Sequence, residues 1–169
     1  MRKLAAIGIS IAAVGLAATP VQATDANGNH AAYIWVVGAT TPSDTAMAPD
    51  GSTITLTGHG TLMAGPGGVA TGGGTFTTSG GSGTWTAISV EGFVSYGPAP
   101  AGFPIAGATG GETKLRVTLS NGQTGVLTII CVLGSPPAAK MEGIQLVLGS
   151  GASGEFTMQD GGNTVFIAL

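Results

Sequence analysis

Residues Ser52 to Met63 read STITLTGHGTLM and alternate without a break. Ile54, Leu56 and Leu62 fall on one face, while Thr53, Thr55, Thr57, His59 and Thr61 fall on the other. A period of two is that of a β-strand, whose successive side chains point to opposite sides of a sheet. Working outward from this stretch, the same signal recurs along the chain. Tyr33 to Val37 (YIWVV) is a short apolar run, and Thr84 to Tyr96 (TWTAISVEGFVSY) is a long strand in which Gly92 marks a bulge. Lys114 to Ser120 and Gly125 to Leu133 flank Asn121-Gly122, a dipeptide that tolerates positive φ and so favours a hairpin turn. Further strands are expected at Gly143 to Leu148, Glu155 to Gln159 and Thr164 to Leu169, the last two joined by Asp160-Gly161-Gly162-Asn163.

Helix signals are scarce, because 31 of the 169 residues are Gly and each Gly inside a helix costs about 1 kcal/mol relative to Ala. The expected fold is therefore all-β, with about eight to ten short strands in a small antiparallel barrel, or alternatively a β-sandwich. Two stretches, Gly38 to Gly51 and Gly97 to Gly111, are rich in Pro and Gly and are read as loops, the second as a closing lid. The strand at 125–133 is apolar on both sides. Its outer side calls for cover by a loop or a neighbouring subunit, and a homo-oligomer is expected on that ground.

Residues 1–23 have the parts of a secretory signal peptide. Arg2 and Lys3 are followed by an apolar run from Leu4 to Ala18, then Thr19-Pro20 and a small residue, Ala23, at the cleavage position. The apolar run is about fifteen residues, short of the roughly twenty that span a membrane. The expected organisation is a signal peptide over 1–23, a flexible N-terminus over 24–31 and one all-β domain over 32–169. The protein is expected to be secreted, whether extracellular, on the cell surface or periplasmic. The single cysteine, Cys131, permits no internal disulfide.

The segment Gly72 to Val90, GGGTFTTSGGSGTWTAISV, resembles the Gly-rich hairpin of the small barrels of allene oxide cyclases and dirigent proteins. The resemblance implies a barrel and nothing about a site, because the acidic and polar pocket residues of those families have no counterpart here.

Motif chemistry is largely excluded. No window fits Gly-x-Ser-x-Gly, and the Gly clusters lead into no helix and no Gly-Lys-Ser/Thr. No metal site is expected: His30, His59 and Cys131 are far apart, and Asp25 to His30 has His where a calcium loop needs Gly. Parity buries Cys131 among Leu127, Ile129 and Leu133, which argues against a thiolate pair with His59. Five basic and eight acidic residues leave no basic face for nucleic acid. The catalytic candidates are Glu91, read on one face with Trp85 and Phe93, and His59. The Thr53-Thr55-Thr57 ladder suggests an ice-ordering face, but the sequence shows no second copy of it, and a solvated strand face is expected instead.

The reading is a secreted, non-catalytic β-barrel protein without cofactor. It would bind an apolar small ligand, with Trp85, Phe93 and Phe103 as candidate contacts, or serve as a cell-surface or extracellular component. The alternatives are a barrel enzyme of cyclase or hydrolase type, for which Glu91 or His59 must point inward, and a small outer-membrane barrel. Membrane insertion is disfavoured, because the nine aromatics beyond the signal peptide, Tyr33 to Phe166, are too few for two girdles.

Overall fold

The computed structural model describes residues 31–38, 43–65, 67–149 and 154–169. The expected signal peptide and Asp25 to His30 lie outside them. All regular structure among the described residues is β: β1 (Ala32–Val37), β2 (Asp44–Met47), β3 (Thr53–Met63), β4 (Ala70–Thr78), β5 (Gly81–Pro98), β6 (Ala108–Leu119), β7 (Thr124–Cys131), β8 (Gly143–Leu148), β9 (Glu155–Phe156), β10 (Met158–Gln159) and β11 (Thr164–Ala168). They form one large antiparallel sheet in which neighbours in sequence are neighbours in space from β2 to β9. The chain end then pairs with the chain start, β10 with β2 and β11 with β1, and β1 in turn pairs with β3. Only β6 departs from this simple succession, since its first residues also pair with β11.

β3 shows why the pattern folds as it does. Ile54, Leu56 and Leu62 are buried as the alternation requires. Gly58 and Gly60 occupy the other two inward positions, beneath two indoles. A Cβ at Gly58 would lie 2.8 Å from Cζ2 of Trp85, and one at Gly60 would lie 2.5 Å from Cζ2 of Trp35. The two rings stack at 5.4 Å, and their Nε1–H groups donate to the carbonyls of Thr57 (3.1 Å) and Thr61 (3.3 Å). Each indole thereby buries its ring and keeps its donor satisfied.

The rest of the core continues from these rings. Phe93 meets Phe166 edge-on at 5.3 Å, and Leu115, Leu127, Ile129, Ile144 and Leu146 complete the inner face. β5 is long because it is irregular. Its register shifts between Ala87 and Ser89, between Val90 and Gly92, and between Ser95 and Gly97. The shift at Gly92 falls where the glycine predicts a bulge, and its freed carbonyl accepts from Thr113 Oγ1 at 3.0 Å.

One sequence expectation needs correction. The stretch Gly38 to Gly51 is not all loop: it contains β2, whose inward residues are Asp44 and Ala46. Small side chains there disguise the alternation. On the outer side of β7, the cover is the loop, one of the two alternatives the sequence leaves open. Ile130 and Thr128 are buried within the single chain. Loop 132–142 lies along that side, held by Ser135 N–H to Tyr96 O (2.7 Å) and by Lys140 Nζ to Glu112, the register partner of Ile130.

Candidate functional site

At one end of the strands, the segment after β5 folds back before β6 begins and leaves an open groove of about 480 Å³. Pro98 and Pro100 stiffen its start. Phe103 N–H to Pro100 O (3.1 Å) and Ala108 N–H to Ile105 O (3.2 Å) close two turns, with Gly102 and Gly107 at positive φ. The turns push Phe103 and Ile105 outward, 37% and 40% exposed. Tyr33 forms the far wall, itself packed on Phe93 with ring centroids 4.4 Å apart. Among the described residues, no charged side chain lines the groove. The opposite end of the strands carries a smaller recess of about 240 Å³, bordered by Ile54, Phe76, Leu119, Leu148 and Phe156.

A second constellation lies inside. Asp44, at the start of β2, is wholly buried. Its carboxylate accepts from the N–H of Gly38 and from that of Asn163 at 3.0 Å. Glu142, at the end of loop 132–142, accepts from Val132 N–H (2.7 Å), Thr164 N–H (2.9 Å) and Thr164 Oγ1 (2.5 Å). The two carboxylates thus bind adjacent residues, Asn163 and Thr164. Burial pushes the Asp44 carboxyl up to about 6 against the opposing pull of its two N–H partners, and the Glu142 charge adds to the rise. Cys131 borders the same cluster, and burial pushes its thiol up to about 11. At neutral pH such a thiol stays protonated and is no nucleophile. Asp44 has no exposed surface for a substrate to reach, so this pair acts on the fold: Asp44 fastens the turn 160–163 to β2, and Glu142 fastens loop 132–142 to the start of β11.

No known protein family, curated protein or solved structure matches this chain. The likeness of Gly72 to Val90 to allene oxide cyclases and dirigent proteins rests on one hairpin, β4–β5.

The residues singled out from the sequence are not brought together. His59 is on the outer face of β3, opposite Val36 and Gly73. Glu91 is exposed and binds Arg116 Nη2 at 2.5 Å. Simple parity places Glu91 with Trp85 and Phe93, but two register shifts lie between those aromatics and turn Glu91 outward. Trp85 and Phe93 are core, and Phe103 alone of the three aromatic candidates lines the groove. Asp44 escaped sequence reasoning because a lone Asp among Thr, Pro and Gly reads as a turn residue. The one available signal was Asp44-Thr45-Ala46-Met47 itself, a short alternation with a carboxylate on the small-residue face.

Proposed function

We propose that this chain is a secreted, non-catalytic β-barrel module that holds an apolar small ligand in the groove beneath residues 98–107. The barrel reading is supported by the pairing of the chain end with the chain start, which a two-layer sandwich does not need. Its interior is filled by Trp35, Trp85, Phe93, Phe166 and their aliphatic neighbours, so the ligand belongs at the mouth rather than inside. The observation that carries the reading is the outward display of Phe103 and Ile105 on a proline-stiffened loop above Tyr33. Large apolar side chains held this way in an uncharged concavity are what an apolar ligand requires. Export is supported by Arg2-Lys3 and the apolar run that follows.

An enzyme on the same barrel has less support, since Glu91 and His59 both face outward. An outer-membrane barrel has less still: its apolar side must face lipid, whereas here the aromatics face in and threonines face out.

The test is titration with N-phenyl-1-naphthylamine, a neutral apolar fluorophore, alongside native mass spectrometry of the protein as exported. Wild type should bind the probe, and the Phe103→Ser, Ile105→Ser double variant should bind it at least tenfold more weakly while melting normally, since each side chain contributes about 1–2 kcal/mol of burial. Equal binding by both proteins, or none by wild type, would remove the reading.

A further inference from the structure

The Thr53-Thr55-Thr57 ladder has no second copy in sequence, yet the sheet register supplies several. Thr45 of β2 stands beside Thr55, which stands beside Thr77 and then Ser82. One step along, Thr57 stands beside Thr75 and then Thr84. Thr61 pairs with Thr71, and Thr86 lies beside Gly73 and Thr118. All these side chains are on the face opposite the core. The array is regular where it matters: β3 and β4 pair over nine consecutive positions and β4 and β5 over six, before the first bulge of β5.

Two further observations separate this face from an ordinary wet strand surface. Its hydroxyls are cross-bonded between strands, Thr45 to Thr55 at 3.0 Å, Thr57 to Thr75 at 2.8 Å and Thr61 to Thr71 at 2.8 Å. These bonds fix the rotamers, so methyls and remaining hydroxyl positions are set before any partner arrives. From β3 to the start of β5 the face is also without Asp, Glu, Lys or Arg, none of which occurs on β3, on β4 or between Gly81 and Ala87; Arg116 of β6 and Glu91 lie beyond its edge. Surfaces kept soluble by charge normally intersperse it throughout.

We propose that this face binds ice. An uncharged array is complementary to an uncharged partner, and a rigid two-dimensional repeat is complementary to a crystal rather than to a single soluble molecule. Neighbouring threonines repeat at about 4.8 Å across the strands and about 6.8 Å along them. That is the scale of the oxygen lattice on a growing ice face. Thr methyls order water against the sheet, and the hydroxyl capacity left over from the interstrand bonds joins that water to the lattice. His59 and Gly73 sit side by side within the array and interrupt one row of it, where Thr57, Thr75, Ile34 and Val36 border a shallow concavity of about 520 Å³. The proposal stands apart from the groove and does not depend on it.

The experiment is ice recrystallisation in frozen sucrose, followed by microscopy. Wild type should hold the grains small. Thr75→Tyr, which raises a ring from the centre of the array, should need at least tenfold more protein for the same effect, and Thr77→Lys should behave likewise. Met141→Lys, on loop 132–142, should leave the effect intact. Circular dichroism and melting temperature confirm that each variant is folded. Grains that coarsen with wild type as they do with an equal mass of serum albumin would overturn the proposal. So would a folded Thr75→Tyr as active as wild type, or retention on crystalline cellulose with no effect on ice.

Discussion

The β3–β4 side of the sheet and the side where the chain closes on itself solve one problem, burial without voids or orphaned groups, by opposite means. On the first side glycine does the work. Gly58 and Gly60 on β3 face Gly74 and Gly72 on β4 and make room for the Trp35 and Trp85 rings. Nothing there is ionisable except His59, on the outer face. At the closure, carboxylates do it. Asp44 and Glu142 take up the N–H groups of Gly38, Val132, Asn163 and Thr164. Packing that relies on missing side chains is intolerant of added volume and indifferent to pH. A closure that relies on a buried carboxylate, Asp44, and a half-buried one, Glu142, has the reverse sensitivities.

The largest effect should come from adding one carbon on the glycine side. Gly60→Ala puts a methyl 2.5 Å from Trp35 and against the Thr71 carbonyl, where the neighbour is backbone and cannot swing away. We expect a loss of about 3 kcal/mol in chemical denaturation, the upper range for overpacking a core. Gly92→Ala is the control. That position has nothing within 4 Å of a new Cβ and should change stability by less than about 1 kcal/mol. Equal losses at the two sites would show that strand propensity, not the space under the indoles, makes Gly60 necessary.

The same contrast explains what was legible in the sequence. β3 was legible because Ile54, Leu56 and Leu62 carry the period of two and the glycines do not disturb it. The Asn121-Gly122 turn was legible because its chemistry is local: Gly122 takes φ +86° and its N–H donates to Leu119 O at 2.9 Å. Glu91 was misplaced because parity counting assumes an unbroken strand. Gly92 announces a bulge, but nothing in the residues announces the shift between Ala87 and Ser89. The pair Asp44 and Glu142 was illegible for a different reason. The two stand 98 residues apart, and they meet only because β10 and β11 return to β2 and β1.

A second, smaller effect should appear at the closure as a dependence on pH. The Asp44 carboxyl sits at about 6 in the folded chain against 3.8 for the free group. The folded state therefore holds its proton more tightly than the unfolded chain does. The stability linked to this group is full below about pH 4 and is lost as pH rises through 6. That difference corresponds to at most about 3 kcal/mol, with part of it offset by carboxylates such as exposed Asp50, which Ser52 holds below its ordinary value. The readout is the difference in denaturation midpoint between pH 4.5 and 7.5. It should favour the acid side in wild type and shrink in Asp44→Asn, which is less stable overall because one backbone N–H then faces an amide donor. An unchanged difference in the variant would assign the pH dependence elsewhere.

The smallest effect should be at Glu91 and Arg116, the pair that links β5 and β6 on the outer face. Their contact is short, 2.5 Å, but the side chains remain 32% and 57% exposed. Water and salt screen such a pair, and fixing two long side chains costs entropy, so exposed ion pairs contribute about 0–1 kcal/mol. A double-mutant cycle through Glu91→Ala and Arg116→Ala should give a coupling below about 1 kcal/mol that fades at high salt. The Ser89↔Arg116 register lies between two bulges, where few backbone bonds are regular, so a side-chain tie there has more to hold than on a smooth strand. A coupling above about 2 kcal/mol that survives salt would mean that Glu91 sets the course of β5 through its bulges, and that the difference between the two sides of the sheet is maintained from outside the core as well as from within it.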